Sequence, residues 1–360
     1  MSYKVGNVAT VRSTRAPAID QKADTGEQCL APASRLNRES SQTPTANQDH
    51  FTFTVDNQSV EETRLDLKIT GEIAGRRTSV HDTVTSHEQP VEVRTTEGIG
   101  DMGKQQYQPV GRCIYCEATK DLTREHIIPF GLSGTAVLPN ASCKSCSRIT
   151  GAFELQVLRG SMRAARVLRR LRSRRNHADA PTTQRLTIVR GGVEELVELP
   201  LDQYPILLHF PIFPPPQFLT GKQSPGIDVS GVHSILFGPL PEEVLRRLGG
   251  QKIIFSPLGD QPHAFARMLA KIAYAMAVAQ GFDKALNGPS CVVPAILGEC
   301  ANMGRWVGTI TGPNRKYPGL LHRVAIHTDL DRGLLLAEIQ LFADSESPSY
   351  GVILGTLRRE

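Results

Sequence analysis

The chain has no run approaching the roughly 20 apolar residues that a bilayer-spanning helix needs, so membrane spanning by a helix is not expected. Its first residues, MSYKVGNVATVRSTR, contain no apolar segment of the secretory type. A cytoplasmic location is the default expectation, and cysteines there stay reduced. The second half has no phosphate-binding loop and no nucleophile–histidine–acid triad. No H-E-x-x-H occurs, which excludes the commonest helical zinc-protease site. A zinc deaminase needs H-x-E and then P-C-x-x-C. Here Glu125 precedes His126 directly and no proline precedes Cys143. No internal repeat of 20–50 residues is found, so a solenoid is not expected.

The charge is distributed unevenly. The 360 residues carry a formal net charge of +5. Residues 1–101 are acidic, with 11 Lys and Arg against 15 Asp and Glu. Residues 102–180 hold 14 basic and 5 acidic residues, and residues 181–360 hold 16 of each. The whole positive excess therefore lies on one short segment. A compact basic patch favours a polyanionic partner, nucleic acid being the usual one.

Residues 1–110 read as a mostly disordered polar tail. FTFTV (51–55) and LDLKI (65–69) within it alternate like two short strands. Met102 opens MGKQQYQPVGRC as a plausible start, so residues 1–101 are read as over-extended translation or a dispensable tail. Intact mass of the native protein distinguishes these, and a chain beginning at Met1 would rule out the first.

Residues 111–154 form a module around four cysteines. Cys113 and Cys116 make one C-x2-C pair, Cys143 and Cys146 another, with 26 residues between them. Two sulfurs from one tight turn meet the same ion, and two such turns close a four-sulfur site. A structural Zn²⁺ is the expected occupant, because a closed site leaves no position for substrate. Cys29, Cys291 and Cys300 have no such partner and read as ordinary small apolar residues.

The segment between the pairs carries the chemistry. CIYC…LTREHIIPFGLSG…LPNASCKSC…FE resembles the HNH endonuclease superfamily, in the branch whose core is flanked by two C-x2-C pairs. The resemblance implies a ββα-metal fold and hydrolysis of nucleic-acid phosphodiester bonds. It makes His126 the general base, Glu125 the ligand of a catalytic Mg²⁺ or Mn²⁺, and Asn140 the residue that positions the histidine. It places Ser147 where a second metal ligand, histidine or asparagine, is usual. Serine is a weaker ligand, so two readings stand. The ion is held by Glu125, water and substrate phosphate, or the site is degraded and the module binds nucleic acid without cutting it. DNA is expected over RNA.

The chemistry of the residues agrees. Phosphodiester hydrolysis needs a base for water and a cation for the developing charge, and a neutral imidazole exists near pH 7. On a regular strand, however, Glu125 and His126 point to opposite faces. A local bend, helped by Pro129, is required to bring both to one site. Glu154 lies seven residues after Ser147 and is expected to anchor the helix.

Residues 155–180 read as a basic helix. Arg159, Arg163, Arg166, Arg170 and Arg174 recur at helical spacing on one face, suited to phosphates. Leu155, Leu158, Met162, Ala165 and Leu168 form the apolar stripe. Residues 185–360 read as an α+β companion domain with antiparallel strands. RLTIVR, GGVEELVEL and PILLHF are strands, and FPIFPPPQF is a polyproline-like loop. Residues 262–280 are a helix with Pro262 in its first turn and Gly281 at its end. VAIHTDLDRGLLLAEIQLFA is a hairpin around Asp331-Arg332-Gly333, and YGVILGTL is a last strand. Arg267 and Lys271 are the only charges between Ala264 and Gln280 and need partners. Carboxylates of the C-terminal hairpin are the expected ones. The fold class as a whole is α+β.

Overall fold

The computed structural model describes residues 107–172, 182–254 and 261–358, together with the backbone of two dipeptides, Ala9–Thr10 (β1) and Arg94–Thr95 (β2). The expected tail strands at 51–55 and 65–69, and Cys29, lie outside the described residues.

The class is α+β. In chain order the elements are β3 (Leu122–His126), β4 (Val137–Cys143), α1 (Lys144–Arg159), α2 (Arg163–Leu168), β5 (Thr183–Arg190), β6 (Val193–Pro200), β7 (Ile206–Ile212), α3 (Gln217–Thr220), β8 (Gly231–Phe237), α4 (Pro241–Leu248) and β9 (Lys252–Ile254). There follow α5 (Pro262–Ala279), α6 (Val293–Leu297), β10 (Val307–Thr309), β11 (His322–Asp329), β12 (Leu334–Leu341) and β13 (Ser349–Thr356). The pairings between these strands are antiparallel, in sheets ordered β10-β13-β12-β11-β2, β1-β8-β7, β6-β5-β9 and β3-β4.

Helix α5 is the centre of the molecule. Every residue from Ala264 to Ala277 except Arg267 is buried, and a helix apolar on all sides belongs inside a core. Pro262 opens it and Gly281, at φ 77°, follows its end, as the sequence predicts. It packs against α1, α6 and strands β10–β13. One continuous apolar core therefore runs from the cysteine module (Cys113, Leu138, Phe153) through α5 to β13 (Val352, Leu354). The cysteine module is not separated from the companion strands by any gap in that core.

A smaller lobe has a core of its own, built from Leu186, Ile188, Leu199, Val244, Leu245 and Ile253. Its β5–β6 hairpin turns on Gly191 and Gly192, both at positive φ, the arrangement a two-residue hairpin loop favours. The β11–β12 hairpin turns as expected, with Asp329 Oδ1 accepting from the Arg332 N–H at 2.9 Å and Gly333 at φ 62°.

Two expectations change. The proline-rich segment is not wholly a loop, because β7 runs through Pro211 to Ile212, paired with Val232 and Gly231. β7 is an edge strand, where a missing N–H can face away from the ladder. The basic helix is two helices. α1 ends at Arg159, Gly160 caps it, and α2 starts at Arg163. A Cβ at Gly160 would sit 2.8 Å from the Gln156 carbonyl oxygen, so glycine permits the break.

Candidate zinc clamp and the Glu125–His126 step

The four cysteines meet. Their sulfurs all lie within 4.8 Å of one another, and Cys116 Sγ is 3.6 Å from Cys143 Sγ. A tetrahedral zinc with Zn–S of about 2.3 Å spaces its sulfurs roughly 3.8 Å apart, so the donor set fits the ion. Three of the sulfur-bearing residues are buried and Cys116 is exposed. The first knuckle turns through Glu117, at φ 60°, with the Glu117 N–H on the Cys113 carbonyl at 2.9 Å. The Ile114 N–H donates to the Ala141 carbonyl at 2.8 Å, which fixes that knuckle to β4. The second knuckle is the start of α1, where Cys143 is the N-cap and its sulfur accepts from the Cys146 N–H. A helix N-terminus favours thiolate. The Cys113 thiol is pushed down to about 4 by the hydrogen bond from Cys146, against burial, with backbone donors assisting.

Between the knuckles, β3 and β4 pair with a shift in register. Thr123 faces Ser142, whereas Glu125 faces Leu138. β4 takes up the extra length around Asn140, which is exposed and at φ 50°, a left-handed conformation that asparagine tolerates. The bend thus lies at this bulge and not at Pro129. It leaves the two side chains of the acid–histidine step on opposite faces. Glu125 is 5% exposed; His126 is half-buried and stands edge-on to the Phe130 ring at 5.6 Å.

Glu125 is engaged inside the protein. Its Oε1 lies 2.7 Å from Lys271 Nζ, and Glu154 Oε1 lies 2.9 Å from the same nitrogen. The ammonium also donates to the carbonyl of His126 and to that of Ile127, the latter at 3.4 Å. Lys271, from α5, is 1% exposed. Burial disfavours its charge, but the Glu125 and Glu154 carboxylates outweigh that and hold its pKa above the usual lysine value. Burial raises the Glu125 pKa despite the lysine beside it. The expected partners of Lys271, carboxylates of the C-terminal hairpin, are corrected to Glu125 and Glu154. Glu154 anchors the helix as predicted. Among the described residues Arg267 takes no carboxylate: it donates to the Ile296 carbonyl at 2.6 Å and lies over the Phe153 ring at 4.7 Å.

The segment after His126 is fastened from three sides. Pro129 accepts from the Leu132 N–H at 2.8 Å and the Gly134 N–H at 3.3 Å. A Cβ on Gly134 would fall 2.0 Å from the Ile128 carbonyl oxygen, so the glycine is needed there. Arg166 Nη1 donates to Leu158 O at 2.8 Å, and its Nε donates to Gly131 O. His322 Nε2 donates to Leu132 O at 2.8 Å while its Nδ1 accepts from the Phe342 N–H at 3.2 Å. Both ring nitrogens of His322 are therefore used by the neutral tautomer, and burial holds its pKa down at about 4.

That pKa has a consequence for acid stability. The unfolded chain protonates this histidine near pH 6.5 while the folded chain does not, so stability is full above 6.5 and lost as pH falls towards 4. At pH 5 the loss is about 2 kcal/mol from this one residue. Denaturant unfolding of wild type and His322→Gln at pH 7 and pH 5 checks it. The variant should lose about 2 kcal/mol less than wild type over that interval.

The five arginines do not share one face. Arg159, Arg163 and Arg170 are exposed, but Arg166 is turned inward onto the carbonyls named above. Arg174 lies outside the described residues. Arg169 is likewise withdrawn, bonded through Nη1 to Asp344 Oδ1 at 2.9 Å. In the apolar stripe Leu158, Met162 and Ala165 are buried, but Leu155 is 42% exposed. The exposed cations of the module that the spacing did not single out include Lys144 and Arg148, one turn apart on α1, Arg124 on β3, and Arg112 and Lys120 around the first knuckle. Ser147 is half-buried in the first turn of α1, its carbonyl accepting from Thr150 Oγ1 at 3.4 Å.

Among the described residues no helix is long and apolar enough to cross a membrane. Compared with known protein families, with characterised proteins and with solved structures, the chain matches none.

Proposed function

We propose that this chain binds nucleic acid, DNA in preference to RNA, through a zinc-stapled module of the HNH type that holds no catalytic ion at Glu125. One observation carries this reading: Lys271 engages both Glu125 and Glu154 in the protein interior. The acid of the acid–histidine step is thereby spent on an internal cation. The usual second ligand position is Ser147, a poor donor for a divalent ion. Strand, strand and helix follow one another as β3, β4 and α1, the order the resemblance implies. The basic excess of residues 102–180 supports phosphate contact, with Lys144, Arg148, Arg159 and Arg163 as the exposed cations on α1 and α2.

A second reading is a metal-dependent HNH endonuclease, in which Mg²⁺ or Mn²⁺ is brought with the substrate phosphate. It is favoured by His126, which is less buried than Glu125 at the end of β3 beyond the bulge. There it would take the proton of an attacking water. Asn140, exposed on the bulge, would steady it.

Plasmid cleavage with added Mg²⁺ or Mn²⁺, with wild type and His126→Ala, decides between them. For binding itself, each phosphate contact adds to the salt slope. Arg148→Ala/Arg159→Ala/Arg163→Ala should weaken duplex binding on the order of tenfold and flatten its salt dependence by two to three counterions. Fluorescence anisotropy between 50 and 200 mM salt measures both.

A further inference from the structure

The carboxylates around Lys271 are arranged as a seat for one cation. Four oxygens converge on its Nζ: Glu125 Oε1 at 2.7 Å, Glu154 Oε1 at 2.9 Å, the Ile127 carbonyl at 3.4 Å and the His126 carbonyl. They come from β3, the turn after it and α1, while the nitrogen comes from α5. An oxygen-only donor set of two carboxylates and backbone carbonyls is the kind that Mg²⁺, Ca²⁺ and Mn²⁺ take. The Tyr115 hydroxyl is buried nearby and makes no hydrogen bond among the described residues. It lies within the field of both carboxylates, which together with burial raise its phenol pKa.

We infer that Glu125, Glu154 and the carbonyls of His126 and Ile127 form a single-cation site, and that Lys271 is its tethered occupant, keeping divalent ions out. The charge count makes the seat attractive to a divalent ion once the lysine is removed. One ammonium offsets one of the two carboxylates, whereas a divalent ion would offset both. A seat that already contains a charge fixed to α5 also joins the cysteine module to the central helix, which a diffusible ion would not do.

The inference uses the same carboxylates as the functional reading, but its test needs no nucleic acid, so the two fail separately. The zinc-loaded full chain is titrated with Mn²⁺ alone and free Mn²⁺ is counted by electron paramagnetic resonance. Wild type is expected to bind no Mn²⁺ at this site. Lys271→Ala is expected to bind one per chain, at least tenfold more tightly than wild type. Adding Glu125→Gln and Glu154→Gln should abolish that binding. If Lys271→Ala does not fold without a divalent ion, Lys271→Ala/Glu125→Gln is titrated, since it leaves a single carboxylate to be matched. A folded variant with its zinc retained and Mn²⁺ affinity no better than wild type would overturn the proposal. So would wild-type Mn²⁺ binding that disappears in Glu125→Gln.

Discussion

Lys271→Met should destabilise the protein by about 3–5 kcal/mol, the cost of removing one partner from a buried ion pair. The lysine is 1% exposed, and the Glu125 side chain it leaves behind is 6% exposed. Methionine fills much of the space but carries no charge. Two carboxylates would then remain in the interior without a cation, and the His126 and Ile127 carbonyls would lose their donor. The triple change Lys271→Met/Glu125→Gln/Glu154→Gln should recover most of the loss, because a neutral set of similar volume removes the desolvation cost as well as the attraction. Urea unfolding of the three proteins at pH 7 measures this. If Lys271→Met were within 1 kcal/mol of wild type, the ammonium would not be the counter-ion of these carboxylates.

Zinc removal should have the other large effect. The chain is expected to hold one Zn²⁺, and Cys146→Ser or strong chelation should release it. Structural zinc in finger peptides contributes about 10–16 kcal/mol of apparent folding energy. Less is expected here, on the order of 5 kcal/mol, because Cys113, Cys143 and Cys146 also sit in the continuous apolar core and are not held by the metal alone. Loss should begin in β3, β4 and the first turn of α1, where the ligands are the structure's own turn and cap. The amides of Ile114 and Cys146, bonded to Ala141 O and Cys143 Sγ, should lose hydrogen-exchange protection before those of α5. Metal analysis and exchange with and without chelator test this. Unchanged protection after zinc removal would contradict it.

What could be read from the residues was local. The two knuckles, the helix from Pro262 to Ala279 and the Asp329–Gly333 turn each carry their signal within a few residues. The partner of Glu125 did not, since it lies 146 positions away on another helix, and Lys271 alone shows only that a buried charge needs some partner. The break at Gly160 had a local sign, but the regular arginine spacing across it suggested one helix. Arg166 and Arg169 then turned inward because acceptors from elsewhere, Gly131 O and Asp344, happened to lie there. Strand alternation already implied that Glu125 and His126 diverge. The bulge at Asn140 bends the hairpin without overcoming that divergence.

In the proposed function the acid–histidine step serves structure through Glu125 and the module binds nucleic acid without cutting it. The direct measurement is plasmid binding and cleavage by the zinc-loaded full chain, in Mg²⁺ and in Mn²⁺, beside His126→Ala. Salt-sensitive binding by both proteins and no cleavage by either is the expected result. Divalent-dependent cleavage by wild type that His126→Ala abolishes would contradict it and establish the nuclease.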